Sequence, residues 1–276
     1  MQNQEHITAL TRRLRMHILE MTTQAASGHL TSSLSAVELM TVLMFGGHFR
    51  YFIDNPQHAN NDRLIFSKGH ASPLLYSLWA VAGAFPSEEL LTLREFGSRL
   101  EGHPTNVFPY TEVPTGSLGQ GLSIGLGMAL NGQYLDKLPY KTYVLLGDSE
   151  LAEGSNWEAM QVAAYYKLRN IIGIIDVNRL GQRGETMHGH DIENYRLKTE
   201  AFGWETVVVD GHDSAQIDEA YKKAAKAQGP FMIVAKTFKG KGFSMVENKD
   251  NWHGKAVCDA DSKEMKKEFG QVDMTL

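Results

Sequence analysis

Short apolar runs alternate with longer amphipathic stretches along most of this chain. The runs at 63–66, 143–146, 171–176, 206–210 and 231–236 have the length and composition of buried strands. Around them, residues 5–25, 35–43, 86–96, 157–167, 215–227 and 262–269, with the segment PLLYSLWAVAG, read as helices. Ser27-Gly28-His29 breaks the first helix, and Ser33 or Ser35 is the candidate N-cap of the second. Pro73 suits the first turn of the PLLYSLWAVAG helix. Residues 98–114 read as irregular, and 115–127 as a glycine-rich loop that turns into a helix. Strands alternating with helices predict an α/β fold, a mainly parallel sheet with helices on both faces. With no internal repeat or long linker, residues 1–276 read as one domain.

Composition narrows the class without naming a function. Apolar content of 42% and charged content of 21% are ordinary for a globular chain. A net charge of −5 disfavours nucleic acid as the main partner. The lone Cys258 excludes an intramolecular disulfide and fits a reducing, cytoplasmic setting; it reads as a bystander, since nothing basic surrounds it. No apolar run approaches the ~18 residues of a membrane span, so no membrane partner is expected. The N-terminus lacks the continuous apolar core of a secretory signal.

Candidate chemistry gathers at predicted strand ends. Gly147-Asp148-Ser149 follows one strand, and Asn178 follows the next, thirty positions after Asp148. Ligands in open parallel sheets bind outside the carboxyl ends of strands. A carboxylate, an amide oxygen and a nearby carbonyl, that of Leu180, suit Mg²⁺ and, with it, a diphosphate. By itself, G-D-S is equally a strand-end turn with its aspartate capping a helix. Gly116-Ser117-Leu118-Gly119-Gln120-Gly121 opens a helix, and its N–H groups suit a diphosphate. The same run also suits close helix packing, and it matches neither the dinucleotide fingerprint nor a P-loop.

Four histidines, His29, His70, His103 and His253, each stand beside a glycine in turn-like contexts. Together they fit a polar site that hydrogen-bonds sugar hydroxyls and moves protons. Their spacing is wrong for zinc. His48, His58, His188 and His190 read as surface residues. Glu153 and Glu158 read as a solvated helix face, and Lys239 and Lys241 as surface charge or as a loop over a phosphate, with surface favoured.

These blocks carry a resemblance. GDS-ELAEGSNWEA with DVNRLGQ is similar to the thiamine-diphosphate motif. With SGHLTSSLSAVEL, DRLIFSKGHASPLLY, EGHPT, TGSLGQGLSIGLGMAL, AFGWETVVVDGHD and KTFKGKGFSMVENKDNWHGK, the chain resembles the N-terminal third to half of a transketolase, in the family's order. The resemblance implies the thiamine-diphosphate-binding fold, and Mg²⁺ or Ca²⁺ held by Asp148, Asn178 and the Leu180 carbonyl. It implies cofactor contacts from Ser32, His70, Gly116, Ser117, Leu118, Gly147, Asp148, Ser149, Asn178, Lys239 and His253. His29, His103 and His253 would line the substrate channel, and Glu153 and Glu158 would act at a subunit interface that links paired active sites. Ser149 stands where glycine is commoner, and Leu30 where proline is frequent. The pyrimidine-binding and C-terminal domains of a transketolase have no counterpart here. The expectation is therefore a natural split subunit, favoured over a truncated piece of a longer transketolase, that joins a C-terminal partner in a two-plus-two heterotetramer and transfers a two-carbon ketol unit between sugar phosphates. Pentose and hexose phosphates are the default substrates, with branched or sulfonated sugars as the alternative. A 2-oxoacid dehydrogenase component or a deoxyxylulose-phosphate synthase fits the GHP and NWHGK blocks less well. A non-catalytic, thiamine-diphosphate-holding or regulatory subunit would not need the histidines.

Overall fold

The computed structural model describes residues 4–275. The elements run α1 (Gln4–Gln24), α2 (Leu30–Leu34), α3 (Val37–Phe45), β1 (Arg63–Phe66), α4 (Ser72–Val81), α5 (Gln120–Leu130), β2 (Thr142–Gly147), α6 (Gly154–Tyr165), β3 (Ile171–Val177), α7 (Ile192–Ala201), β4 (Glu205–Asp210), α8 (Ser214–Ala224), β5 (Phe231–Lys236) and α9 (Asp259–Phe269). The five strands form one sheet in the order β1-β2-β3-β5-β4, and every pair is parallel. The predicted α/β architecture is what forms.

Period-two alternation sends neighbouring strand residues to opposite faces. Tyr143 and Leu145 of β2 join one core with residues from α1, α3, α4 and α8. Val144 and Leu146 join the other, with Leu122 of α5, Met160 of α6 and Tyr195 of α7. Both faces are covered, so β2 and β3 are buried along their whole lengths. That explains why they read as continuous apolar runs and not as alternating ones.

Three expectations need correction. The helix predicted at 35–43 is α3, Val37–Phe45, with the short α2 just before it, and neither Ser33 nor Ser35 caps α3, whose N-cap position is Ala36. The Ser33 hydroxyl instead donates to the His29 carbonyl at 3.1 Å, and that of Ser35 donates to Asp176 Oδ2 at 2.6 Å. Residues 86–96 hold only a 3₁₀ segment, Ser87–Thr92. Arg94 takes a left-handed φ of 62° and gives its N–H to Leu100, which diverts the chain into the irregular stretch. Helix α7 is not picked out by the sequence pattern, because it buries little beyond Tyr195 and Thr199.

Among the described residues no helix is long and apolar enough to cross a membrane.

Candidate functional site

Parallel pairing brings four strand ends to one edge. Gly147 of β2 lies beside Asp176 of β3, and Val177 beside Lys236 of β5. The loops after β1, β2, β3 and β5 therefore emerge together, carrying Lys68 and His70, Asp148, Asn178, and Lys239.

Asp148 is 4% exposed. Its Oδ1 accepts from the Ser149 N–H at 2.9 Å, and its Oδ2 from the Arg179 N–H at 2.7 Å and the Thr186 hydroxyl at 3.3 Å. Asn178 donates Nδ2 to Asp176 at 3.2 Å, which fixes which way its amide points; its Oδ1 accepts from the Leu180 N–H at 3.2 Å. The Leu180 carbonyl accepts from Lys239 Nζ at 2.7 Å. Lys239 is 3% exposed, so the reading that favours a surface lysine is wrong for it. Its neighbour Lys241 is instead ion-paired to Glu247 at 3.0 Å.

The electrostatics of this cluster are unbalanced in two senses: a bound cation would relieve Asp148, and a bound anion would relieve Lys239. Burial, then the nearby Asp176 carboxylate, pushes Asp148 up to about 6. Burial, then the charge of Lys68, brings Lys239 down to about 8. Among the described residues no group of three or more His, Cys, Asp or Glu side chains is gathered to hold a metal. A cation here would draw on one carboxylate, one amide oxygen and one carbonyl, the hard-oxygen set that Mg²⁺ or Ca²⁺ accepts. A carbonyl has two lone pairs, so Leu180 can serve both a cation and Lys239. Ser32 Oγ is buried with no hydrogen-bond partner, an orphaned polar atom one turn along from His29. The residues present fit a metal-bridged diphosphate.

Beside this cluster the four predicted histidines converge. His29 lies 5.4 Å from His70, 6.0 Å from His103 and 5.3 Å from His253, ring centre to ring centre, and His70 is 4.9 Å from His253. His253 Nδ1 is 2.7 Å from Lys239 Nζ, which joins the two clusters. Burial first, then neighbouring positive charge, lowers all four. His29 falls to about 4 and His253 to about 3; His70 is well below its ordinary value, and His103 falls under burial and then Arg94. At neutral pH each is an uncharged imidazole with one donor and one acceptor nitrogen, suited to hydroxyl groups.

Gly116 explains part of this convergence. Its φ of 145° is open to glycine, and a Cβ there would meet the His103 ring at 2.9 Å. Ser117 and Leu118 of the same run are exposed, as are Glu153 and Glu158 on the segment after Asp148. The two glutamates are open to solvent in this chain. Ser149 is half-buried and Gly147 is buried in β2.

The sequence reading missed Lys68, Glu150 and Asp176. Lys68 and Asp176 are a buried ion pair, with Asp176 also accepting from Ser35 and Thr237. Glu150 is fully buried and accepts from the Ser67 hydroxyl and from the N–H groups of Gly119 at 2.8 Å and Gly147 at 3.0 Å. It thereby ties together the loops after β1 and β2 and the glycine-rich run. An aspartate inside the apolar run IIGIID was the available signal for Asp176. The four histidines set aside as surface residues are all half-buried. His48 pairs with Asp218 at 2.8 Å, His188 with Lys198 at 2.6 Å, and His190 with the Thr237 carbonyl at 2.9 Å.

Sheet order and site together define a parallel α/β domain with an oxygen-lined, histidine-rich cleft at the carboxyl ends of its strands. The family described as "Transketolase, thiamine diphosphate binding domain" matches residues 5–275, and this chain belongs to it. The chain is 50% identical over 245 residues to a transketolase of Pongo abelii, covering 89% of this chain and 39% of that protein. It is 39% identical over 240 residues to a Phocaeicola vulgatus protein named as one of the subunits of an apulose-4-phosphate transketolase, covering 87% of this chain and 85% of that one. The transketolase of Campylobacter jejuni superposes with a TM-score of 0.88 at 33% identity, over 95% of this chain and 43% of that one. That of Leishmania mexicana gives 0.89 at 29%, over 96% and 41%. The chain thus spans about two fifths of the length of the transketolases it matches.

Proposed function

We propose that this chain is the diphosphate-binding subunit of a two-component, thiamine-diphosphate-dependent transketolase that moves a two-carbon ketol unit from a ketose phosphate to an aldose phosphate. The observation that carries the reading is the joining, through the Lys239–His253 contact, of a hard-oxygen cluster to four uncharged histidines. When bound, thiamine diphosphate supplies the nucleophilic carbon and the electron sink that cleavage of a ketose C2–C3 bond requires. Asp148, Asn178 and the Leu180 carbonyl would hold Mg²⁺ or Ca²⁺. Lys239, Ser32, His70, Gly116, Ser117, Leu118, Gly147, Ser149 and His253 would line the cofactor. His29, His103 and His253 would bind sugar hydroxyls and accept or return their protons.

Similarity to a protein named as one component of a multi-subunit transketolase, which this chain covers over most of its length, supports a split enzyme. In that reading residues 1–276 are one domain, and a second subunit supplies the pyrimidine-binding domain. Exposed Glu153 and Glu158 would meet it in a two-plus-two assembly in the cytoplasm. The same similarity makes apulose 4-phosphate a substrate to test beside the ordinary pentose and hexose phosphates.

The test is ketol transfer by the purified chain alone and after addition of a pyrimidine-domain subunit, with mass measured by light scattering. Transfer should require both chains. In the assembled enzyme, His103→Ala should lower turnover while the melting temperature holds, because His103 sits in a loop outside the core. Full transfer by the chain alone would overturn the two-component reading.

A further inference from the structure

Lys239 sits in the loop after β5, yet that loop is not held only by its own contacts. The backbone on either side of the lysine, at Phe238 and at Lys241, is gripped from behind through one buried carboxylate, Glu38, in the first turn of α3. Arg15 of α1 donates to both Glu38 oxygens, at 2.7 and 2.8 Å, and through Nε to the Lys241 carbonyl at 2.9 Å. On the other side, His212 Nδ1 lies 3.1 Å from Glu38 Oε2, and the Phe238 N–H donates to His212 Nε2 at 2.9 Å. Glu38 and Arg15 are 9% and 4% exposed.

The His212 partners dictate its tautomer. A backbone N–H can only donate, so Nε2 carries no proton; a carboxylate can only accept, so Nδ1 carries it. The His212 ring also stacks on Phe238, 6.0 Å between centres with planes 14° apart. On the Arg15 side, Gly242 has φ 103°, and a Cβ there would meet Arg15 Nε at 2.7 Å. The loop thus has a polar grip at Phe238 and another at Lys241, with Lys239 between them.

We propose that Glu38, acting through His212 and Arg15, is the anchor of a clamp that positions Lys239 for the cofactor diphosphate. The proposal rests on the cofactor role of Lys239 proposed above. Glu38, His212 and Arg15 are positioning residues: the ammonium they aim is the group that meets the ligand. Outer partners of metal ligands change affinity by about 10–100-fold when removed, and the same scale is expected for partners that aim this ammonium.

A pair of substitutions separates positioning from bulk stability. His212→Gln can place an acceptor oxygen near the Nε2 position, whereas His212→Asn reaches Glu38 but falls short of Phe238. Each variant is measured for its thiamine diphosphate affinity in Mg²⁺ by calorimetry, for its melting temperature, and for hydrogen exchange of the Phe238 amide by NMR. Lys239→Ala is the reference for loss of the ammonium. We expect His212→Asn to lose Phe238 protection and to bind about 10–100-fold more weakly. His212→Gln, which keeps the Phe238 acceptor but gives up the donor to Glu38, should keep Phe238 protection and bind with an affinity between those of His212→Asn and the wild type. The wild-type imidazole nitrogens should show the Nδ1–H tautomer. Wild-type affinity in His212→Asn, with Lys239→Ala weakened, would overturn the clamp. Wild-type affinity in Lys239→Ala would instead overturn the cofactor role of Lys239, and the proposal with it. An Nε2–H tautomer would contradict the geometry directly.

Discussion

Lys68 and Asp176 form an ion pair with side-chain exposures of 1% and 0%, directly behind the amide of Asn178. Such a pair is costly to desolvate and is retained only where its remaining lone pairs and protons are met. Here they are. Lys68 also donates to the Ser32 carbonyl at 2.8 Å and lies 3.3 Å from Ser35 Oγ, while Asp176 accepts from Ser35, Thr237 and Asn178. The pair ties the Ser32 turn, the loop after β1 and the ends of β3 and β5 into one support for the site.

Removing the Lys68 ammonium should therefore unbalance the core. Lys68→Met leaves Asp176 buried with neutral partners only, and should cost about 3–5 kcal/mol. Urea unfolding of the two proteins measures it. A loss below about 1 kcal/mol would mean that the pair behaves like a surface ion pair.

Loss of the Asp148 carboxylate should remove the divalent-cation dependence of cofactor binding. Asp148→Ala should weaken thiamine diphosphate binding by more than the roughly 10–100-fold typical of outer partners, and Mg²⁺ should no longer improve it. Calorimetry in matched metal decides this, and equal affinities would remove Asp148 from the ligand set.

An anion bound at Lys239 should make His253 more basic. Burial is the largest cause of its low value of about 3, and the charge of Lys239 is the next. Neutralising that charge removes one opposing influence, so pyrophosphate with Mg²⁺ should raise the His253 pKa. NMR titration of its ring protons with and without pyrophosphate tests the direction; a fall, or no change at saturation, counts against the site.

Acid should destabilise the fold partly through His17, buried on α1. Burial, then the charge of Arg13, lowers its pKa to about 4, against an ordinary value of 6.5. Between those values the unfolded chain binds a proton that the folded chain refuses. Stability from this group is present above pH 6.5 and is lost as the pH falls towards 4. His17→Gln should remove this slope, worth at most about 1.4 kcal/mol per pH unit. Urea unfolding at pH 7 and pH 5 should show the wild type losing ground to the variant, and parallel losses would exclude His17 as the source.

How much of this was legible in advance follows from the range of the interactions involved. Strands β1 and β5 begin and end where the apolar runs do, and β2, β3 and β4 differ by one or two residues; in β2, β3 and β5 burial on both faces imposes the run itself, whereas the edge strand β4 is mostly exposed or half-buried. The Asp148–Asn178 pairing was readable because parallel strands joined by a helix must place their carboxyl ends side by side. The histidine blocks were readable as turns fitting one polar site, though their ring-to-ring geometry and their contact with Lys239 were not.

What the sequence by itself determined is thus the layering of helices on both faces of the sheet and many of the chemical groups at the strand ends, though not Lys68, Glu150 or Asp176. Only the tertiary structure decided which of them are charged, paired or aimed at one another. Lys239 and Lys241 stand two apart on one glycine-rich loop with no local feature to separate them. One is buried on the Leu180 carbonyl and the other pairs with Glu247. Glu38, Arg15 and His212 are distant along the chain and meet only when α1 and α3 pack together against the end of β4. Their roles come from burial and from partners brought in by packing, and local sequence pattern encodes neither.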